Sequence, residues 1–376
     1  MTTAYFYLTP EGKTLAEKLS SSHPGDLYGK DNFKNNLRDS FHRYDYLVCI
    51  MAAGIVVRIL APLIVHKTSD PGVVVMDQKG QYAISLLSGH LGGANDLARE
   101  MAALSGGDAV ITTATDVAGE LSFDTFAKAH NMSIENIGQL KHISGALLSG
   151  QSVRVVTHYH YPELKKAAAD AKMKIFSTDE FTALLKSDRP LPPIPTVIID
   201  EGFTLPDTSA HGSGNSLSTP AFPTNQTSFK ADSPASAYPV LYLRPRTICA
   251  GIGCKRNMEA APIKEALLTV LKEEHLSPLS LKCISTIPLK ADEPGILTTA
   301  ENLRVPLTIV PTEDIDALDI TGLGISPSDF VAQQTGVLSV STASSYLASG
   351  KGTILRDKVK FKGITIALCQ EKLPVQ

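Results

Sequence analysis

Apolar residues recur along this chain with two periods, and the two alternate. Short apolar runs bounded by polar residues or glycine predict strands at Ala4 to Leu8, Asp45 to Ile50, Val73 to Val75, Gln81 to Leu87 and Ala109 to Asp116. Between them, apolar positions every three or four residues predict helices. Leu15 and Leu19 carry the first; Ile55, Ile59 and Leu63 carry a short buried one that stops near Pro62; Leu97, Met101 and Leu104 carry the third, with Arg99 and Glu100 outward. Asp77-Gln-Lys-Gly80 between two of the strands predicts a hairpin.

From about Ile134 the alternation continues with shorter elements. Gln139 to Leu148, Pro162 to Ala171 and Phe181 to Lys186 read as helices; Ser152 to Thr157, Met173 to Phe176 and Thr196 to Ile199 read as strands. The stretch Phe203 to Pro239 is rich in Ser, Thr and Pro and nearly without aliphatic residues, so it cannot bury enough surface to offset ordering and reads as a flexible linker. A third unit begins at Pro239-Val-Leu-Tyr-Leu. It has a strand and glycine turn at Thr247-Ile-Cys-Ala-Gly251-Ile-Gly-Cys-Lys-Arg256, then a helix through Ile263, Leu267, Leu268 and Leu271. Strands at Cys283 to Ile287, Leu307 to Val310 and Val337 to Val340, a helix at Thr299 to Leu303, and a last helix after Ser341 complete it. The predicted class is α/β: three small α/β domains with largely parallel sheets, at residues 1–131, 132–202 and 239–376, with the linker at 203–238.

Composition narrows the class. A hydrophobic share of 43% and a charged share of 19% over 376 residues are those of a globular protein of two or three domains. A formal net charge of -3 supplies no general field for nucleic acid or an anionic membrane, so an anionic ligand must be held by local groups. No apolar run is long enough to span a bilayer, and no leader pattern follows Met1. Five cysteines without a Cys-x-x-Cys pair predict a reduced, cytoplasmic chain with no structural zinc site. His158 and His160 share one strand end, but no third metal ligand lies near them in sequence.

The candidate chemistry centres on Leu86-Leu-Ser-Gly-His-Leu-Gly-Gly-Ala-Asn95, at a strand-to-helix turn. Glycines there let a ligand approach the main chain, and the first N–H groups of a helix favour an anion; the same composition also packs a helix closely on a sheet. Neither a Walker lysine nor the spaced dinucleotide fingerprint is present. His90 sits between glycines with little packing to do, and an imidazole of unperturbed pKa near ~6.5 suits a general base. Thr112, Thr113, Thr115 and Asp116 end a strand, where ligands of open α/β sheets sit; helix capping by Asp116, Ser122 or Asp124 is the alternative. In a parallel sheet such turns gather at one edge, which predicts that His90 and Asp116 face one cleft and divide the proton transfers. Gly54 marks another close turn, and Arg58 is either an anion ligand or half of a surface ion pair. Lys255 and Arg256 add positive charge to the second glycine turn; Cys254 beside them is a nucleophile or, with no histidine nearby, a half-buried thiol.

Taken together these motifs resemble one family. Gly54-Ile-Val-Val-Arg58, Ala61-Pro-Leu63, Asp70-Pro71, the Leu86 to Asn95 stretch and Val110-Ile-Thr-Thr-Ala-Thr-Asp116 resemble the amino-terminal domain of the cobalt-precorrin-5A hydrolases of anaerobic cobalamin biosynthesis. Leu243-Arg-Pro-Arg246, Gly251-Ile-Gly-Cys254, Lys290-Ala-Asp-Glu-Pro-Gly295 and Thr335-Gly-Val337 resemble their carboxy-terminal domain. Ser341-Thr-Ala343 departs from the acidic residue that the family commonly carries there.

The resemblance implies a reaction in which the lactone of cobalt-precorrin-5A opens and acetaldehyde leaves, giving cobalt-precorrin-5B. That chemistry needs an activated water, donors for an oxyanion and a base for the freed alcohol. The substrate carries its own cobalt and its own electron sink, so the resemblance implies no cofactor and no metal site of the protein. Its partners would be the cobalt-containing tetrapyrrole and other cobalamin-pathway enzymes, without nucleic acid or membrane. The substrate's carboxylates would meet Gly54, Arg58, Ser88, Gly89, Gly92, Gly93, Asn95, Thr112, Thr113, Gly251, Gly253, Lys255 and Lys290, with Lys67 and Arg256 adding charge. His90 and Asp116 would be the catalytic pair. The other reading is a carrier that binds corrinoid intermediates without altering them.

Overall fold

The structure, a computed structural model, describes residues 2–66, 69–113, 121–169, 173–187, 192–205, 238–327 and 338–373. Lys67, Thr115, Asp116, residues 206–237 of the expected linker and the Thr335-Gly-Val337 motif lie outside them. The chain forms two units, Met1–Lys128 and Ala129–Gln376.

The first unit holds strands β1 (Thr3–Tyr7), β2 (Asp26–Tyr28), β3 (Tyr46–Ile50), β4 (Gly72–Met76), β5 (Tyr82–Leu87) and β6 (Asp108–Val110) in the order β2-β1-β3-β4-β5-β6. Its helices are α1 (Pro10–Ser22), α2 (Phe33–Ser40), α3 (Ala53–Leu60), α4 (Ala94–Ser105) and α5 (Phe123–Ala129). Strand residues alternate between two buried faces. Tyr5, Val48, Ile50, Val74 and Met76 meet α1 and α4 through Leu15, Leu19, Leu97 and Met101. Phe6, Leu47, Cys49, Val73 and Val75 meet α2 and α3 through Leu37, Val56, Ile59 and Leu60. The buried stripe of α3 is therefore Val56, Ile59 and Leu60 rather than the expected Ile55, Ile59 and Leu63, because the helix ends at Leu60.

Strands β1 to β4 run parallel, but β4 and β5 form an antiparallel hairpin, and β6 runs parallel to β5. Asp77 makes the reversal: its carboxylate accepts the N–H groups of Lys79 and Tyr82, each at 2.8 Å, and Gly80 turns the chain at φ 70°. Consequently β5 and β6 end at the edge of the sheet where β3 and β4 begin.

The second unit contains two five-stranded sheets. One is built from β7 (Met132–Ile134), β8 (Val153–Thr157), β9 (Met173–Phe176), β10 (Thr196–Ile199) and β11 (Val240–Pro245), in the order β7-β11-β10-β8-β9. Helices α6 (Leu140–Leu148), α7 (Pro162–Ala169) and α8 (Thr178–Leu185) connect them. The Val240 strand was expected to open the third domain; instead it pairs parallel with β10 and antiparallel with β7. Arg244 fastens it there. Fully buried, it donates to Glu135 at 2.5 Å and to the carbonyls of Asp200 and Phe203 at 2.9 and 3.0 Å, while Tyr242 covers its guanidinium.

The other sheet is β14-β13-β12-β16-β15, from β12 (Ile248–Cys254), β13 (Leu281–Thr286), β14 (Leu307–Ile309), β15 (Thr353–Phe361) and β16 (Ile364–Gln370). Helices α9 (Ala260–Glu273) and α10 (Pro294–Leu303) cover one face; α11 (Thr312–Asp316) lies further along the chain, and α12 (Ser341–Ala348) packs on β12 and β16. The β15–β16 hairpin has no counterpart in the sequence expectation. Leu338 to Val340 do not form the expected strand but lead into α12. Among the described residues no helix is long and apolar enough to cross a membrane.

Candidate functional site

The turn from Ser88 to Gly93 lies at the edge where β5 and β6 end. Its glycines are required by close packing: a Cβ on Gly92 would stand 2.2 Å from Ser88 Cβ, and one on Gly72 would stand 2.6 Å from the Gly92 carbonyl. Gly93 has φ 79° and starts α4 without a side-chain cap. Three of the N–H groups around the start of α4 are engaged by the turn itself. Gly93 donates to the His90 carbonyl at 2.9 Å, Ala94 to that of Ser88 at 3.2 Å and Asn95 to that of Gly89 at 2.9 Å. Ser88 adopts φ 56°, and among the described residues its buried hydroxyl has no hydrogen-bond partner, a combination concentrated at functional sites.

His90 is held from α5. Its Nδ1 lies 3.2 Å from Asp124 Oδ2 and 3.2 Å from Ser122 Oγ, and Ser122 Oγ in turn donates to Asp124 Oδ1. Burial pushes the Asp124 carboxyl up, but the bonds from His90 and Ser122 and the Thr125 N–H outweigh it and hold the group below the usual carboxylate range. An ionised Asp124 accepts only, so the hydrogen bond between them is donated by Nδ1–H. Four residues further along α5, Lys128 stands on the same helix face; its ammonium lies beside Gly93 and 6.0 Å from the centre of the Tyr46 ring. A cleft of about 360 Å³ opens here, lined by His42, Arg43, Tyr46, Asp70, Gly92 and Lys128.

The other expected residues divide. Thr113 is brought to the turn, receiving the Asn95 amide at 3.2 Å, while Asn95 Oδ1 accepts from Ser85 at 2.7 Å; Thr112 is exposed. Buried Asn95 thus ties β5, α4 and the end of β6 together. Gly54 and Arg58 belong to the opposite edge, where Arg58 donates to the Gly54 carbonyl at 2.9 Å. The β4–β5 hairpin reverses the sheet and so sets them apart from the His90 turn. At their edge a mainly apolar cleft of about 380 Å³, lined by Leu8, Met51, Ile55, Met76 and Tyr82, sits where strand order turns about β1. The pairing of His90 with Asp116 lies outside the described residues; among the described residues Asp124 is a carboxylate on the imidazole.

In the second unit Gly251 and Gly253 form no turn. They lie within β12, between β13 and β16, and a Cβ on Gly251 would stand 1.7 Å from the Ser341 carbonyl. Gly251 lets α12 approach the sheet, while Gly253 leaves room for Thr365, whose Oγ1 would stand 2.6 Å from a Cβ there. Lys255 is exposed, and its N–H donates to Gly363. Lys290 lies 3.5 Å from Glu293. Burial pushes the Cys254 thiol up to about 11, with Lys290 opposing, so it remains a thiol at neutral pH rather than a nucleophilic thiolate. His158 pairs with Asp200, and among the described residues no cluster of His, Cys, Asp or Glu is arranged to hold a metal ion.

Sequence reasoning passed over Asp124 and Lys128. The signal was an acid and a base one helical turn apart behind Ser122, read there as capping.

These units define an α/β protein whose first domain carries a histidine–carboxylate pair beside a glycine turn. The chain belongs to the cobalamin synthesis G family, the cobalt-precorrin-5A hydrolases. Residues 35–116 match the family region described as cobalamin synthesis G N-terminal, residues 121–195 the cobalamin biosynthesis central region, and residues 248–369 the cobalamin synthesis G C-terminus. The chain is 33% identical to a cobalt-precorrin-5A hydrolase of Salmonella typhimurium, over 97% of its own length and 96% of that protein's. Similarity to a cobalt-precorrin-5A hydrolase of Priestia megaterium is 31% over 87% of this chain and 79% of the relative. A probable cobalt-precorrin-5A hydrolase of Methanocaldococcus jannaschii is 25% identical over 98% of each.

Proposed function

We propose that this chain hydrolyses the lactone of cobalt-precorrin-5A and releases acetaldehyde, giving cobalt-precorrin-5B. The observation that carries the reading is the match to the Salmonella hydrolase along nearly the whole of both chains. In the reaction, water adds to the lactone carbonyl and the acyl C–O bond breaks, leaving a carboxylate and a secondary alcohol. Removal of the alcohol proton then breaks the adjacent carbon–carbon bond, with the electron pair passing into the macrocycle and acetaldehyde departing.

The geometry supports His90 as the base. Asp124 fixes the Nδ1–H tautomer and stabilises the imidazolium, so Nε2 takes the proton from water or alcohol. Lys128, His42 and Arg43 around the cleft suit the substrate's carboxylates. Cobalt enters with the substrate, and the protein is assigned no cofactor of its own. We further assign it to the cytoplasm, with transfer of product to other enzymes of the pathway.

The test is incubation of the purified chain with cobalt-precorrin-5A and an assay for acetaldehyde. Release proportional to enzyme, reduced on the order of 10²-fold or more by His90→Gln with binding retained, is expected. Tight binding without release would replace the hydrolase by a carrier.

A further inference from the structure

A second group of charges stands at the carboxyl ends of β12 and β13. Glu293 is fully buried, and among the described residues neither of its carboxylate oxygens has a hydrogen-bond partner. Its charged neighbours are Lys290 Nζ at 3.5 Å and Arg256 Nη1 at 3.7 Å. It also occupies the N-cap position of the ten-residue helix α10 without capping it, so the helix dipole favours its charge. Burying a carboxylate without hydrogen bonds is costly, and an apolar side chain of similar volume would fill this space more cheaply. The charge is therefore retained for what it does to its neighbours.

Those neighbours face the rim. Lys290 has a side chain 12% exposed, and among the described residues its ammonium makes the Glu293 ion pair and no hydrogen bond. Arg256 is half exposed and bonds Asp292 at 2.7 Å on its outer side. Lys255, exposed and next to Arg256 in the chain, adds a further cation at the end of β12, where open α/β sheets receive ligands.

We propose that Glu293 is a positioning residue that holds Lys290 and Arg256 at this rim, where they receive a carboxylate of the tetrapyrrole. The subsite rests on the cobalt-precorrin reading only for the owner of that carboxylate. Two roles for Glu293 predict opposite signs. Were it merely a negative charge near the site, Glu293→Gln would tighten anion binding; as the anchor of both cations, its loss weakens it.

The experiment titrates the full chain at low salt with cobyrinic acid, a cobalt corrin with free carboxylates, and with its all-carboxamide counterpart. Wild type should prefer the acid by about tenfold. Glu293→Gln and Lys290→Met should each reduce that preference to about twofold or less, and Lys290→Arg should restore most of it. Lys290→Met decides alone if Glu293→Gln does not fold. Equal affinity of wild type for acid and amide, an unchanged preference in Lys290→Met, or tighter acid binding by Glu293→Gln overturns the subsite. Absence of acetaldehyde release would remove the hydrolase reading and leave this one standing.

Discussion

Replacing Asp124 by Asn separates the imidazole's position from its chemistry. The amide fills the same space, and through its oxygen it can still accept a bond from His90 Nδ1, which lies 3.2 Å from the native carboxylate. What it loses is the negative charge that stabilises an imidazolium. It also loses the certainty of tautomer, because an amide can turn its NH₂ toward Nδ1 and leave the proton on Nε2. The Asp124 side chain is only 8% exposed, so water does little to replace that charge. The expected fall in turnover is on the order of 10²-fold, about 2.7 kcal/mol of barrier, with KM within a fewfold of wild type. The assay is acetaldehyde release as a function of substrate concentration and pH, with circular dichroism to establish that the variant is folded. Because the folded-state pKa of Asp124 is depressed, its stabilising contribution is present above the ordinary carboxylate range and lost as pH falls through the folded value. Asn should flatten that acid limb of the stability curve. A folded variant with turnover within about twofold of wild type would refute the assignment of Asp124 to His90 in the reaction.

Two glycines of similar sequence context should respond in opposite ways. Gly251→Ala places a Cβ 1.7 Å from the Ser341 carbonyl, and a loss of about 3 kcal/mol or more is expected in chemical denaturation. Gly54→Ala meets only the flexible end of Arg58 at 3.1 Å within α3, and it should gain roughly 0.5–1 kcal/mol; a rise in KM alongside that gain would show that a ligand approaches this backbone. His158 supplies a pH dependence of the other sign: its hydrogen bond to Asp200, against the opposing effect of burial, raises its pKa. That stabilisation is full below the unfolded imidazole value of about 6.5 and is lost as pH rises through the higher folded value. The melting temperature should fall across neutral pH, and His158→Gln should remove the slope; an identical slope in the variant would exclude His158 as its source.

Much of the architecture is legible in the amino-acid pattern because it depends on neighbours in sequence. Tyr46 to Ile50 and Gly72 to Met76 are strands since every residue is buried on one face or the other, and α4 follows from Leu97, Ala98 and Met101. His90 at a tight turn before a helix, and the α/β class itself, follow from the same local rules. Strand direction and partnership do not, because they are decided by contacts far apart in the chain. Nothing local to Val240–Pro245 reveals that it joins β10 and β7 through Arg244 and Glu135. The Asp77 turn, by contrast, is local and legible as a hairpin, and by sending β5 back along β4 it sets Gly54 and His90 at opposite edges. That Asp124 also stands on His90 was beyond sequence because 34 residues separate the two, and only the packing of α5 against the turn brings them together. Glu293 is the sharpest case. In sequence it is one acid in a charged loop, and only the closure of α10 over β12 and β13 removes it from water and gives its charge a consequence.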